Sequence, residues 1–331
     1  TDCLATLITF LPHPMMVLAP ERAPRYITTP GEKLGLLESL GIDLVVLLPF
    51  NNQMASMPAR TFMERVSRHL RLRELWLGAN FALGRNREGN VDRLQELGHE
   101  FGYELSVFQP VFDGEQIISS SRIRSLLLEG RVEEAARLLG RLPTIAGEVV
   151  HGAQRGRQLG FPTAKLKVRP ERAVPADGVY AVFALLGRER HQAVANLGVR
   201  PTFDQGDRTV ETHILDFDED IHGCDLVVEF VSRLRDEQRF EDVDDLIRQI
   251  EIDSQAARRI LSQIEERESR AGRLMDAHRY RFREQDHTAD RALKVWGEGL
   301  PDLLVGAARG MCSLMGDLQN LAPEVWRTIR L

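Results

Sequence analysis

The chain is poor in several features that would fix its class at once. It holds three cysteines in 331 residues, Cys3, Cys224 and Cys312. They lie far apart and make no C-x-x-C pair, which argues against a disulfide framework or a cysteine zinc site and for free thiols in a reducing cytosol. No apolar run reaches the length of a membrane span, and no basic-then-apolar leader opens the sequence, so a cytoplasmic protein is expected. Positive charge is not in excess: 43 Lys and Arg stand against 49 Asp and Glu, a formal net charge of -6. That balance argues against a generally nucleic-acid-binding surface. There is no internal repeat, no low-complexity tract, and no glycine loop ending in G-K-[ST], so a Walker-type phosphate loop is absent.

What is present is ample core material. The composition is 43% hydrophobic and 28% charged, ordinary for a globular protein, and 331 residues make two or three domains. The sequence passes within a few residues of Thr1 into the apolar run Leu4–Phe10, which reads as a buried strand without a polar lead-in; both ends are expected to be cut from a longer product.

The first third alternates strand and helix. Thr29-Pro-Gly-Glu32 has the form of a capping box with Pro30 at the first helical position, and Gly41 supplies a stop. Ile42–Phe50 is a nearly continuous apolar run, as a parallel strand covered on both faces requires. A helix near 58–70, a strand at 74–78, a helix near 90–101 and a strand at 103–111 continue the alternation. This pattern predicts an open parallel sheet wrapped by helices, with ligands beyond the carboxyl ends of its strands. Two helical segments, 121–128 and 132–139, lead out of it. From Thr144 short β-rich runs separated by turns follow, closed by an amphipathic helix with Val243, Leu246, Ile247 and Ile250 on one face. A small antiparallel barrel with one covering helix is predicted there. Residues 265–283 are dense in Glu and Arg and read as a solvated linker or helix, and 289–315 begins a third unit.

Candidate chemistry concentrates between Gly147 and Leu166. Gly152, Gly156 and Gly160 punctuate a basic loop after a strand, able to turn backbone N–H groups toward phosphate with Arg155 or Arg157 adding charge. By itself such a loop is more often a surface turn. Pro162 holds Phe161 extended, and the Thr163 hydroxyl is a candidate magnesium ligand beside nucleotide phosphates, or an ordinary strand threonine. In Thr209-Val-Glu-Thr-His-Ile-Leu215, Glu211, His213 and Leu215 share one strand face. Glu211 is a candidate proton acceptor for an attacking hydroxyl, against the plain alternative of an exposed strand residue.

Read in order, G-x-V-V-x-G, G-R-x-L-G-F-P-T-A, G-V-Y-A-V, N-L-G-V-R-P-T-F, V-E-T-H-I-L-D-F and R-L-R-D-E-Q-R-F resemble riboflavin kinases. The preceding region resembles the FMN adenylyltransferase half of the bacterial bifunctional enzymes that make FMN and then FAD. It does so at Phe10–Pro14, Leu48–Phe50, Gly78–Gly84 and Ile118–Arg124. The resemblance spans about 4–262 and implies a fold class of α/β plus β: a truncated nucleotidyltransferase Rossmann-like parallel sheet, then a small antiparallel β-barrel with a C-terminal helix. It implies ATP-dependent phosphorylation of riboflavin, with Mg²⁺ as cofactor and ATP as co-substrate. Glu211 is then the base and Thr163 the metal ligand, with Gly152, Arg155, Gly156, Arg157, Gly160, Thr163 and Lys165 around ATP. The family usually reads P-T-A-N where this chain has Lys165, whose protonated amine has no lone pair for a metal; weaker Mg²⁺ affinity or a lower rate is expected.

For the adenylyltransferase half the resemblance implies that Asn80, Ser119, Ser120, Ser121, Arg122 and Arg124 meet ATP or FMN. The family's F-D-G-x-H-x-G-H stretch would lie ahead of Thr1, and His13, in a proline turn, reads as structural; inefficient FAD formation is expected. Asp286-His-Thr-Ala-Asp290, Leu293–Gly297 and Ala307–Met315 resemble the start of archease, an assistant of a tRNA-splicing ligase, an α+β fold. That implies a metal-binding role for Asp290 and a ligase partner, although D-H-T-A-D also reads as an acidic cap before a strand. The expected organisation is 1–128 adenylyltransferase, 129–143 helical linker, 144–264 kinase, 265–281 charged linker and 282–331 archease-like. Partners are riboflavin, FMN and ATP, with no membrane and no direct nucleic acid for the flavin domains. The competing expectation is an impaired flavin- or nucleotide-binding protein serving the ligase through its tail.

Overall fold

The computed structural model describes residues 3–150, 159–199, 208–277, 282–286 and 291–295. They group into two compact units, one built on the first 24 residues with Pro30–Val111, the other on Arg25–Thr29 with Phe112–Asp276.

The first unit follows the predicted alternation. Strand β1 (Thr6–Leu11), the short helix α1 (Pro14–Leu18), helix α2 (Pro30–Ser39), strand β2 (Leu44–Pro49), the single turn α3 (Asn52–Ala55), helix α4 (Ala59–Leu70), strand β3 (Glu74–Gly78), helix α5 (Val91–Phe101) and strand β4 (Glu104–Phe108) succeed one another. Pairing is parallel, β1 with β2 and β3 with β4. The described strands therefore form two separate two-stranded ladders rather than the one continuous sheet expected from the alternation. Both ladders feed one apolar core, in which Leu48 and Leu77 join Phe62, Met63 and Val66 of α4 and Leu94 and Leu97 of α5. The spacing of these helix positions is that of one face turned to the strands. Helix α5 is capped at both ends: the Asn90 side chain accepts from the Arg93 N–H, and Gly102 closes it in the left-handed conformation. The expected strand to Val111 stops at Phe108.

The second unit begins with a tight hairpin of β5 (Phe112–Asp113) and β6 (Gln116–Ile117), then helices α6 (Ser120–Leu128) and α7 (Val132–Leu139). Six further strands follow: β7 (Thr144–Val150), β8 (Ala164–Lys167), β9 (Gly178–Leu186), β10 (Glu189–Val199), β11 (Arg208–Ile214) and β12 (Asp225–Arg235). They close into an antiparallel barrel in the order β10-β11-β8-β7-β12-β9. Closure removes the free edges that an open sheet of this size would expose.

Alternation along the strands sorts the side chains. Ile145, Leu166, Tyr180, Val182, Ala195, Val210, Leu226 and Phe230 fill the inside, and Ile123, Leu126, Leu127, Val132, Ala135 and Leu138 of α6 and α7 join the same core. The segment Arg25–Thr29 also belongs here. The Tyr26 N–H donates to the Glu171 carbonyl, the Ala173 N–H returns to the Tyr26 carbonyl, and Ile27 packs on the core.

The outer face of β9, β10 and β12 is covered by helix α8 (Val243–Ala277). Val179, Ala181, Phe183 and Val231 meet Ala257 and Leu261 there. This shifts the expected apolar stripe: Val243 is exposed, and the buried positions lie further along the helix at Asp253, Ser254, Ala257 and Leu261. The charged stretch from Glu265 continues as helix to Ala277. A last antiparallel hairpin pairs β13 (Phe282–Asp286) with β14 (Arg291–Val295).

Candidate active site

The kinase candidates gather where β8 and β11 run side by side. Ala164 and Leu166 point into the barrel core, so their neighbours Thr163 and Lys165 face out. On β11, Val210 and Ile214 are likewise interior, which turns Glu211 and His213 outward. The antiparallel register sets Glu211 directly opposite Lys165 on one side and Asn196 on the other. Cross-strand neighbours of this kind have Cβ atoms about 5 Å apart. Lys165 is in turn opposite Val150, the last residue of β7. In sequence the glycine loop follows Val150. Gly152, Arg155, Gly156 and Arg157 themselves lie outside the described residues. Gly160, at the loop's far end, holds φ at 85°, a left-handed value that favours glycine.

Two residues outside the expected ligand set share this face. Asn196 carries a buried Oδ1 that finds no hydrogen-bond partner among the described residues. His213 sits two positions beyond Glu211, with Nδ1 2.8 Å from the Pro162 carbonyl oxygen and its ring edge-on to Phe161 at 5.5 Å. Burial holds the His213 imidazolium below the usual histidine range, partly offset by the bond to Pro162. Asp216, just after β11, and Arg258 of α8 also face it. These two form an ion pair, which keeps the Asp216 carboxyl below its ordinary range.

Magnesium is a hard cation that takes oxygen ligands. Thr163, Glu211 and Asn196 offer a hydroxyl, a carboxylate and an amide oxygen on one face, and the orphaned Asn196 Oδ1 is an acceptor without a described donor. The donor set fits such an ion. Lys165 as an ammonium adds positive charge and no ligand.

The adenylyltransferase candidates divide between the two units. Ser119, Ser120, Ser121, Arg122 and Arg124 come together at the start of α6, in the unit that contains the barrel. Ser119 is the N-cap, accepting from the Arg122 N–H at 3.2 Å, while Ser120 and Ser121 are exposed. Arg122 is already engaged, its Nη2 2.9 Å from Asp113 Oδ2, and Arg137 holds the other oxygen of that carboxylate. Arg124 donates from Nε to the Arg25 carbonyl at 2.7 Å, and burial lowers its pKa from the ordinary value. Asn80, in the first unit, is exposed, and its carbonyl accepts from Arg87. Asp113 carried no signal in the sequence, because a carboxylate in a turn is ordinary. The proline-turn histidine has the structural role expected of it: His13 Nδ1 accepts from the Met15 N–H at 3.2 Å and caps α1. Asp290 lies outside the described residues. Among the described residues no cluster of His, Cys, Asp and Glu is arranged to hold a metal, and no helix is long and apolar enough to cross a membrane.

Comparison with known proteins covers nearly the same ground. A family model described as riboflavin kinase matches residues 139–261, one described as FAD synthetase matches 1–122, and one described as the archease protein family matches 282–331. The bifunctional riboflavin kinase/FMN adenylyltransferase of Escherichia coli K12 is 37% identical over 254 residues, which are 76% of this chain and 81% of that protein. Its counterpart in Bacillus subtilis 168 is 33% identical over 263 residues, 78% of this chain and 83% of that protein. A crystal structure from Streptococcus pneumoniae described as a macrolide-efflux protein is 33% identical and superposes with a TM-score of 0.69, over 76% of this chain and 83% of that one. That description names a different activity, and it is the curated relatives and the family models that agree with each other and with the barrel. The chain belongs to the family of bifunctional riboflavin kinase/FMN adenylyltransferases.

Proposed function

We propose that the barrel unit phosphorylates riboflavin at the expense of ATP. The observation that carries this reading is the register that sets Glu211 opposite Lys165, which is itself opposite Val150 at the end of β7. Glu211 accepts the proton of the ribityl hydroxyl as that oxygen bonds to the γ-phosphorus. The bond from the γ-phosphorus to the bridging oxygen breaks, and ADP leaves. Phosphoryl transfer asks mainly for alignment and neutralised charge. Gly160 and the loop before it shape the phosphate cradle, Thr163 and Asn196 are the remaining oxygen ligands, and Lys165 places one positive charge against the phosphates. Magnesium, when bound, supplies the rest of the neutralising charge. The test is FMN formation from riboflavin, ATP and Mg²⁺, followed by chromatography. Glu211→Gln should lower the rate by about 10²–10⁴-fold; a variant as fast as the parent would rule Glu211 out as the base.

A second activity, transfer of AMP to FMN with release of pyrophosphate, is assigned to the first 128 residues, in which Ser119–Arg124 combine a helix N-terminus with two arginines. For Arg122 to meet a phosphate, Asp113 must share or release it. We place the domain limits at 128, 144, 264 and 281. Residues 282–331 are read as the opening of an archease unit, whose partner would be a tRNA-splicing ligase and whose metal ligand would be Asp290. We assign the chain to the cytoplasm.

A further inference from the structure

We propose that His213 is a positioning residue of the kinase site, a staple that ties the Phe161–Pro162 segment to β11 and thereby sets Thr163 in place on the face that carries Glu211. The proposal rests on the kinase reading and concerns a residue to which that reading gives no part.

The Pro162 carbonyl has only lone pairs to offer, so at 2.8 Å it is the imidazole Nδ1 that carries the hydrogen and donates. That donor is present in both the neutral and the charged imidazole. The bond is therefore a fixed constraint rather than a proton relay. Its place in the chain gives it leverage. The ladder between β8 and β11 ends at Ala164 opposite Thr212, one residue short of Thr163. Upstream, Pro162 has no N–H with which to extend the ladder, and Gly160 sits in the left-handed region where no side chain restrains it. Thr163 is exposed and lies between the end of a strand and a glycine pivot. The carbonyl next to it is held by a side chain of the same strand that carries Glu211, two residues away. Phe161 packs against the edge of the same ring at 79° and 5.5 Å, so both residues before Thr163 bear on His213.

Misplacement of a reacting group by about 1 Å costs on the order of 10²-fold in rate. Removal of the staple should therefore act on the nucleotide side of the reaction. His213→Phe keeps a ring against Phe161 and loses the donor. His213→Asn keeps a donor near the position of Nδ1 and loses the ring. With the full chain, His213→Phe is expected to lower kcat/KM for Mg·ATP by about 10- to 100-fold while KM for riboflavin stays within about twofold. His213→Asn is expected to recover most of the loss. Urea unfolding of each variant gives the readout that a purely structural role would move. Equal kcat/KM for Mg·ATP in His213→Phe and parent overturns the proposal. So does a loss shared equally by both substrates that follows stability in both variants. If the parent forms no FMN, the kinase reading itself fails, and this proposal with it.

Discussion

Asp253 is the buried charge on which the covering helix depends. It lies in α8 with 7% of its side chain exposed and meets Arg235 of β12, itself 18% exposed. The guanidinium is held through Nε at 3.1 and 3.0 Å and through Nη2 at 2.8 Å, and Gln249 donates to the same carboxylate at 2.9 Å. Asp253→Ala removes the acceptor and leaves a mostly buried guanidinium whose Nη1 alone stays bonded, to the Asp236 carbonyl. Breaking a buried pair in this way costs about 3–5 kcal/mol. In a unit of this size each kcal/mol shifts the midpoint by about 2–4 °C, so Tm should fall by roughly 6–20 °C. The matched change Arg235→Met with Asp253→Leu removes both charges together. It should restore stability to within about 1 kcal/mol of the parent, since apolar pairs of similar size replace buried ion pairs with little loss. Scanning calorimetry on the parent, the single and the double variant decides it. A single variant within about 2 °C of the parent, or a double variant as unstable as the single, refutes the assignment.

Lys165→Asn should raise the affinity for Mg²⁺ or the phosphorylation rate, because an amide oxygen replaces an ammonium beside Thr163; an unchanged Mg²⁺ dependence and rate would sink the idea. Acid stability tests the burial of His213. Its folded pKa lies below 6.5, so in the window just under that value the unfolded chain binds the extra proton and stability falls as pH falls. Arg258 and Asp216 face the ring with opposing fields. The stability of the parent minus that of His213→Asn, from urea unfolding, should rise with pH through this window and level off near pH 7; a flat difference counts against it. Ile27→Ala should destabilise the barrel unit by about 1–2 kcal/mol through lost packing of the strap on the core, with unchanged stability as the contrary result.

Periodicity made most elements legible before any coordinates. Strand–helix alternation, the short β-rich runs from Thr144 and the helix after Val243 are local patterns, and local patterns are what sequence carries. The apolar face of α8 was legible in part: Leu246, Ile247 and Ile250 are half-buried as their spacing predicts, while Val243 is exposed. Further along, the helix buries Asp253, Ser254, Ala257 and Leu261, and the place of Asp253 is fixed by a partner on β12 distant in sequence. The site was legible in part for the same reason. Glu211 and Lys165 stand in recognisable motifs, but their pairing depends on the register between β8 and β11. His213 could be placed on the Glu211 face by alternation, yet its hold on Pro162 spans 51 residues. Asp113, which occupies Arg122 and Arg137, gave no signal beyond a turn carboxylate.

The short strap Arg25–Thr29 has a practical consequence for anyone who would dissect this chain. The barrel's packing boundary is not its covalent one: Ile27 and the apolar faces of α6 and α7 share a single core with strands that begin at Thr144. A fragment cut at 144 would shed the lid of its own interior and present Ile145, Tyr180 and Phe230 to water. Limited proteolysis should accordingly spare 118–139 long after it trims exposed segments, and gene fragments that keep these helices should be the ones that stay in solution.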